Sequence, residues 1–178
     1  MALVTTHRNK PKSFSWSYSR LKNFETCPKR HYEIDIQKSV KEEESEQLQY
    51  GNMLHKAMAV RIEKNTPLPP AFATHEKWID KLFQFNGHDV RSLPNLRTLV
   101  EQKFAITKEL AACEFFDNDV WYRGIGDVVW VAGPIAYVGD WKTGKIVEDS
   151  VQLALMAQCV FSRYPDVQVV RSEFIWLK

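Results

Sequence analysis

Two short apolar runs on either side of Gly133-Pro134 constrain the fold of this chain most strongly. Residues 125–131 and 135–141 are almost continuously apolar, and the Gly-Pro pair between them is typical of a tight turn. This pattern predicts an antiparallel β-hairpin. With the turn centred on Gly133-Pro134, Asp127 is expected to lie opposite Asp140 on the neighbouring strand.

Both faces of this hairpin are apolar, which is typical of an interior pair of strands. The face of the aspartates carries Ile125, Val129, Val131, Ala136 and Val138, and the opposite face carries Val128, Trp130, Tyr137 and Trp141. Two carboxylates that face each other there are destabilising unless a cation or a metal ion neutralises them. The period of a strand places Lys142 on the face of Asp127 and Asp140. A metal site explains the pattern better than a solvated charged face or an internal ion pair with Lys142.

A further candidate ligand lies on a helix predicted over about residues 46–64. Gly51, His55, Met58 and Ile62 fall on one stripe of that helix, so His55 is expected to face inward. Taken alone, His55 is most simply a core histidine with a backbone partner, but near two carboxylates it becomes a candidate metal ligand. Gly51 lies one turn earlier and would let a neighbouring strand or a DNA backbone approach closely.

Two polar residues outside the hairpin have simple alternative interpretations. Glu101 lies in a strand predicted over residues 99–107, on the face of Lys103, where a solvent-facing glutamate is the plain interpretation. Gln152 begins a helix predicted over about residues 150–163. It could orient a phosphate or a base near the end of the hairpin, or it could be an ordinary polar residue at a helix start.

The remaining elements are predicted from caps, prolines and periodicity. Ser17 or Ser19 caps a short first helix, which Pro28 ends or restarts. Thr74 caps a helix after a proline-rich loop, and a last strand covers residues 167–177.

The hairpin residues resemble the PD-(D/E)XK nuclease superfamily, which is marked by an aspartate on one strand and Asp/Glu-x-Lys on the next. Asp127 within Gly-Ile-Gly-Asp and Asp140 within Gly-Asp-Trp-Lys-Thr-Gly are similar in particular to the RecB-like branch. Four further segments match that branch in order: residues 17–28 its N-terminal helix motif, residues 51–55 its Gly-x-x-x-His motif, Val100-Glu101 its glutamate before the hairpin, and residues 152–157 its glutamine helix. The Asp-x-Lys triplet alone is a weak signal, but five elements in this order are a specific one.

The resemblance implies a restriction-endonuclease-like fold of the α/β (α+β) class. Its αβββαβ core would contain a mixed central sheet flanked by helices, with additional helices at the N-terminus. Residues 14–178 are expected to form a single nuclease domain, and residues 1–13 a basic, flexible segment. The implied activity is that of a metal-dependent DNA nuclease, most simply a stand-alone phage-type exonuclease that acts in DNA recombination, repair or replication of a phage or bacterium. An endonuclease, a catalytically inactive nucleic-acid-binding module of the same fold, and a structural protein with a coincidental charged hairpin are the alternatives.

The resemblance also assigns roles to individual residues. The implied catalytic residues are Asp127, Asp140, Lys142, Glu101 and Gln152. The implied ligands of one or two Mg²⁺ or Mn²⁺ ions are His55, Asp127, Asp140, the backbone carbonyl of Trp141 and, in addition, Glu101. Lys142 would position or deprotonate the attacking water, or act as a fixed cation that faces the developing charge. The candidate DNA-contacting residues are Ser19, Arg20, Lys29, Arg30, Gly51, Thr143 and Lys145.

The sequence departs from the RecB-like pattern at two points. Met156 stands where that branch usually has a tyrosine, four residues after Gln152, so a substrate contact is lost or replaced. An iron–sulfur cluster is not expected, because the three cysteines Cys27, Cys113 and Cys159 lack the spacing of a ligand group. Cys27 is instead expected to be a small buried residue at a helix junction.

Charge and hydropathy limit the location and partners of the protein. The net charge of +2 does not by itself indicate nucleic-acid binding. The basic residues of segment 7–12 and of the first helices could either contact phosphates or simply face solvent. No apolar run approaches the roughly 20 residues that span a bilayer, residues 1–13 do not resemble a signal peptide, and an odd number of cysteines suits a reducing compartment. We therefore expect a cytoplasmic protein (host cytoplasm if viral) without a membrane partner.

The expected partner is linear DNA, either single-stranded or double-stranded. The sequence contains no Gly-x-x-x-x-Gly-Lys-Ser/Thr motif, so a helicase would have to be a separate protein. A single-strand annealing or binding protein is a further expected partner, and the pattern of residues leaves the oligomeric state open.

Overall fold

The predicted αβββαβ core is present in the computed structural model, which describes residues 14–41, 44–146 and 149–177. In chain order the elements are α1 (Tyr18–Thr26), α2 (Pro28–His31), α3 (Glu46–Lys64), α4 (Lys77–Leu82), β1 (Gln84–Phe85), β2 (His88–Asp89), β3 (Arg97–Ile106), β4 (Tyr122–Ala132), β5 (Ile135–Lys142), α5 (Ser150–Arg163) and β6 (Val169–Trp176). The main sheet has the order β3-β4-β5-β6, with β6 parallel to β5 and the other pairs antiparallel. The predicted flexible segment 1–13 lies outside the described residues.

The hairpin of β4 and β5 confirms the predicted turn and register. Gly133 has a φ of 56°, a left-handed conformation that glycine adopts without strain. Val128 pairs with Gly139, and the pairing continues to the turn. Asp127 and Asp140 stand at the next position of this register, where the regular ladder ends.

The N-terminal ends of the helices show which of the predicted capping residues form a cap. Ser17 caps α1 by accepting a hydrogen bond of 3.4 Å from the Arg20 amide, and Asp149 caps α5 by accepting one of 3.0 Å from the Val151 amide. The prediction that Thr74 caps a helix was wrong. Thr74 lies inside a turn of 3₁₀-helix, Pro70–His75, that begins at a proline, and α4 starts only after it without a side-chain cap.

Helices pack on both faces of the sheet, which explains why the hairpin is apolar on both sides. On one face, α3 and α4 bury a cluster that includes Leu54, Met58, Leu82, Trp130, Tyr137 and Trp141. On the other, α5 buries a cluster that includes Val129, Ala136, Val138, Met156, Cys159 and Val160. The buried indole of Trp130 donates a hydrogen bond of 2.9 Å to the carbonyl of Leu82, so its polar atom is satisfied.

Side chains along β3 and β4 alternate between the two faces of the sheet. This alternation shifts by one residue at the position where Glu101 lies opposite Asp127. Tyr122 packs on the α5 side of the sheet, whereas Val128, an even number of residues later on the same strand, packs on the α3 side. Glu101 has a φ of 49°, and the ladder is interrupted at this residue although the register is the same before and after it. Such a left-handed conformation costs a non-glycine residue on the order of 1–3 kcal/mol and is concentrated at functional sites.

Two sequence expectations fail because of this shift. Glu101 does not share a face with Lys103: Glu101 lies in a groove beside α3, whereas Lys103 lines a separate groove and its ammonium lies over the Phe115 ring. Ile125 was expected beside Val129 in the interior, but its side chain is 41% exposed. A prediction that assumes strict alternation of side chains cannot anticipate a strand whose side chains change faces partway along.

Gly139 provides a test of how tightly the hairpin packs. An added Cβ would lie 2.8 Å from Cγ1 of Val128, 2.9 Å from Cδ1 of Ile175 and 2.9 Å from Cε1 of Tyr137, all of them buried. Gly139→Ala is therefore expected to lower the free energy of unfolding by about 1–3 kcal/mol in urea titrations. Gly144→Ala is the matched control, since among the described residues no atom beyond its two chain neighbours lies within 4 Å of the corresponding position. Equal urea midpoints for the two variants would contradict this view of the packing.

Candidate active site

One group of site residues joins α3 to strands β3 and β4. Candidate ligand atoms of His55, Glu101 and Asp127 all lie within 4.8 Å of one another. The interrupted ladder at Glu101 brings its carboxyl to the helix, and Nδ1 of His55 lies 3.5 Å from Oδ1 of Asp127. Three residues that are far apart in the sequence thus share one cluster.

Asp127 is fixed in orientation through both of its carboxylate oxygens. Oδ2 accepts a hydrogen bond of 2.7 Å from the backbone amide of Trp141, and Oδ1 faces His55. The hydrogen bond crosses from β4 to β5 where their regular ladder ends. The amide of Trp141 therefore positions Asp127, while the role of the Trp141 carbonyl as a metal ligand stays a prediction.

A second group, Asp140, Lys142 and Gln152, lies at the end of β5 and the start of α5. The Gln152 side chain connects the other two: its Nε2 donates a hydrogen bond of 2.6 Å to Oδ1 of Asp140, and its Oε1 accepts one of 3.1 Å from Nζ of Lys142. The ammonium of Lys142 also lies 2.5 Å from Oδ2 of Asp140. Apart from this ion pair, the buried Oδ2 accepts no hydrogen bond from the described residues.

The two aspartates have separate positively charged or polar partners. The hairpin pattern predicted one cation between them, with Lys142 on the face of both. Lys142 contacts Asp140, whereas Asp127 contacts the imidazole of His55.

Burial and mutual repulsion of the carboxylates make negative charge at the site costly. Burial, and then the charge of Asp127, raise the pKa of Asp140 from 3.8 to about 6, although Lys142 opposes this. Partial desolvation of the carboxyl and the charge of Asp127 likewise raise the pKa of Glu101. Burial lowers the pKa of His55, but its contact with Asp127 and the neighbouring carboxylates outweigh that effect and raise it overall. A bound cation would relieve the repulsion among these carboxylates.

The donor set fits a divalent metal ion. The cluster offers carboxylate oxygens from Glu101 and Asp127 and one imidazole nitrogen from His55. Oδ2 of Asp140 could join them only by exchanging its contact with Lys142 for the ion. Hard oxygen donors suit Mg²⁺ or Mn²⁺, and the imidazole adds tolerance for Mn²⁺. Both aspartates are buried, 9% and 8% exposed, whereas Glu101 is exposed and His55 is half-buried, so an ion in this cluster would keep access to water.

The predicted DNA-contacting residues differ in their contacts and in their exposure. A Cβ on Gly51 would lie 3.0 Å from Oγ1 of Thr143, so this glycine lets the end of β5 approach α3. Arg20 donates a hydrogen bond of 2.6 Å to the carbonyl of Ser15, and Ser19 bonds to the Ser17 hydroxyl. The exposed members of the set are Ser19, Lys29, Arg30 and Lys145. Contact of any of these residues with DNA stays a prediction.

Sequence reasoning missed three aromatic residues beside Lys142. Tyr18, Phe174 and Trp176 line a cavity of about 260 Å³ together with Lys142, Lys145 and Gln152. The Tyr18 hydroxyl donates a hydrogen bond of 2.6 Å to Asp149, which joins α1 to the start of α5. The available signals were the position of Tyr18 directly after the Ser17 cap and the alternation of Phe174 and Trp176 with buried residues along β6.

The departures from the RecB-like pattern have a structural context. Met156 is buried on the α5 side of the sheet, where its sulfur would lie 2.6 Å from a Cβ on Gly124. The hydroxyl of Tyr122 lies 3.2 Å from the same position, so a phenol is present beside Met156 although it comes from a strand. The expectation that Cys27 is buried was wrong, because it lies exposed between α1 and α2.

Comparison with known proteins assigns a family to this arrangement. A sequence model described as the PD-(D/E)XK nuclease superfamily matches residues 15–162, which include both groups of site residues. No curated protein matches the chain significantly. None of the helices in the described part of the chain is long and apolar enough to cross a membrane.

Proposed function

Because the chain belongs to the PD-(D/E)XK nuclease superfamily, whose members are metal-dependent nucleases, we propose that it is a Mg²⁺- or Mn²⁺-dependent deoxyribonuclease that digests DNA from an end. One observation carries this proposal. The ion pair of Asp140 and Lys142 lies beside the His55, Glu101 and Asp127 cluster, and the charge of Asp140 raises the pKa of both His55 and Glu101.

The described side chains suit phosphodiester hydrolysis. A bound divalent ion would supply positive charge that polarises the scissile phosphate and makes water more acidic. Asp127, held by the Trp141 amide, offers oxygen in a fixed orientation. Lys142, held by Gln152, places a cation where negative charge develops as a water oxygen bonds to phosphorus and the bond to the leaving oxygen breaks. In this scheme Lys142 stays charged and the proton that the water loses passes to solvent, which also protonates the leaving oxygen. In the alternative scheme a neutral Lys142 amine accepts the proton of the water and does not act as the cation.

The assignment to a branch of the superfamily rests on the sequence motifs. The order of the five matching segments supports the RecB-like branch and, within it, a stand-alone phage-type enzyme of DNA recombination, repair or replication. No element of the described chain extends from the site as a reader of base edges, which favours action with little sequence preference. Unwinding of duplex DNA is assigned to a separate helicase, and annealing of the remaining strand to a single-strand binding protein.

Digestion of matched linear and circular DNA tests the exonuclease proposal. The purified protein is incubated with an end-labelled linear duplex, its single strand and a covalently closed circle of the same sequence. Loss of the linear forms with an intact circle is the expected result. Cutting of the circle would establish an endonuclease instead, and binding without any cleavage would support a catalytically inactive module.

Gln152 is expected to act as a positioning residue for Lys142 and Asp140. Gln152→Ala removes both hydrogen bonds and should lower kcat for DNA cleavage by about 10–100-fold, with a smaller change in KM, because the ammonium and the carboxylate lose their fixed positions. Gln158→Ala is the matched control on the same helix, since the Gln158 side chain donates a hydrogen bond to Ser162 one turn further along α5. A Gln152 variant with the kcat of the control would remove Gln152 from the mechanism.

A further inference from the structure

Two aromatic side chains separate the candidate active site from a second cavity. Phe174 and Trp176 lie on β6, the edge strand of the sheet, and alternate with the buried residues Ile175 and Leu177. They line the cavity of about 260 Å³ beside Lys142, and they also line a cavity of about 490 Å³ further along the strand. The two rings thus form a rim that both cavities share.

The rim begins directly at the proposed catalytic lysine. Nζ of Lys142 lies 5.0 Å from the centre of the Phe174 ring, which holds the ammonium by a cation–π contact. The rings of Phe174 and Trp176 meet edge to face, with centres 6.3 Å apart, and both side chains are partly exposed. Trp176 pairs in register with Lys142 and Phe174 with Asp140, so both rings lie at the end of β6 that adjoins the site.

The larger cavity has cations in its wall that are held by neighbouring residues. The ammonium of Lys81 lies 4.4 Å from the centre of the Trp78 ring, and Arg171 makes an ion pair of 2.9 Å with Glu173. The volume of about 490 Å³ suits a ligand of nucleotide size. Aromatic faces followed by cations along a groove are the features with which proteins bind single strands.

We propose that Phe174 and Trp176 form a stacking subsite for an unpaired base of the strand that is being cut, and that the cavity beyond receives the next nucleotide, whose phosphate binds Lys81 and Arg171. A base inside a duplex already stacks on both of its faces, so this subsite selects a single strand or a frayed end. The proposal rests on the proposed nuclease function and names the form of DNA that this site accepts.

An abasic scan of a single-stranded substrate tests the subsite. A series of oligonucleotides carries one abasic residue at successive positions from the cleaved bond, and kcat/KM is measured for wild type, Trp176→Leu and Trp176→Phe. Wild type should lose about tenfold in kcat/KM when the missing base is the one that stacks. Trp176→Leu should show a similar loss on the intact strand and no dependence on the abasic position, whereas Trp176→Phe should keep the dependence.

The scan separates the subsite from general damage and from the nuclease function. If Trp176→Leu is slower but keeps the position dependence of wild type, Trp176 has only a structural role and the subsite is overturned. If wild type cleaves no DNA, the nuclease function fails and this subsite with it. Cleavage by wild type without any abasic position effect overturns the subsite alone.

A matched pair of lysines on α4 tests the cavity. Lys81→Ala should weaken the binding of a long oligothymidylate, measured by anisotropy in EDTA, and should lower the salt dependence of binding by about one released counterion. Lys77→Ala makes the same charge change, but Lys77 is not part of the cavity wall. Equal binding by the two variants would overturn the placement of a phosphate in this cavity.

Discussion

Lys142→Ala is expected to abolish DNA cleavage, with a loss of roughly 10³-fold or more in kcat. The ammonium is held by Asp140 and Gln152 and lies over the Phe174 ring, so it has one fixed position beside the metal cluster. Alanine leaves no cation to face the charge that develops on the phosphate. Single-turnover cleavage of an end-labelled strand with saturating Mn²⁺ measures this loss without a contribution from product release.

Two control variants distinguish the possible roles of Lys142. Lys145→Ala makes the same charge change in the adjoining exposed segment and lines the same cavity, so it should affect KM more than kcat. Lys142→Arg keeps the positive charge but cannot serve as a base at ordinary pH. Substantial activity of Lys142→Arg would assign Lys142 a purely electrostatic role, and substantial activity of Lys142→Ala would remove it from the mechanism.

Asp140→Asn is expected to abolish cleavage and yet stabilise the metal-free protein. Asparagine can still accept the hydrogen bond from Gln152, but it offers no charged oxygen to a metal ion. Burial and the nearby Asp127 disfavour the charged form of Asp140, so its removal should raise the free energy of unfolding by about 1–3 kcal/mol near pH 7.5 in EDTA. Chemical denaturation of both proteins measures the difference.

The pH dependence of this gain follows from the direction of the pKa shift. The folded-state pKa of Asp140, about 6, lies above its ordinary value of 3.8. The stability associated with the protonated carboxyl is therefore fully present below about pH 4 and is lost as the pH rises through about 6. The gain in stability from Asp140→Asn should therefore be present above about pH 6 and be absent below about pH 4.

Asp149→Asn is a control of opposite sign. Hydrogen bonds from Tyr18 and Lys22 lower the pKa of Asp149, so its charged form stabilises the fold at neutral pH. Removal of that charge should lower the free energy of unfolding.

Added Mn²⁺ should stabilise wild type, by about 2.7 kcal/mol when its concentration is a hundred times its Kd, but it should not stabilise Asp140→Asn. A wild type that Mn²⁺ leaves unchanged, or an Asp140→Asn variant less stable than wild type in EDTA, would contradict this account of the site.

Local signals predicted the core elements of the fold because each has a strong physical cause. The Gly133-Pro134 turn, the Ser17 cap and the stripe through His55 depend on turn chemistry, capping and helical periodicity, all of which act within a few residues. These signals placed α3, α5 and the hairpin correctly. The small hairpin of β1 and β2 was missed because its strands have two residues each, too few for a periodic pattern.

The arrangement of the site required tertiary information. His55, Glu101 and Asp127 meet only because Glu101 takes a left-handed conformation that interrupts the ladder, and no residue pattern announces a glutamate with positive φ. The family resemblance named these residues, whereas period-two reasoning placed Glu101 on the wrong face. Phe174 and Trp176 were not predicted as site residues, because side chains of an ordinary edge strand also alternate with buried residues.

Cleavage of one end-labelled DNA strand, with Mg²⁺, with Mn²⁺ and with EDTA, tests the central claim most directly when wild type and Asp127→Asn are compared. We predict that wild type cleaves with either metal, stops in EDTA and resumes when excess metal is restored, and that Asp127→Asn is inactive throughout. Cleavage by wild type in EDTA, or equal activity of Asp127→Asn, would contradict a metal-dependent nuclease centred on this pair of aspartates.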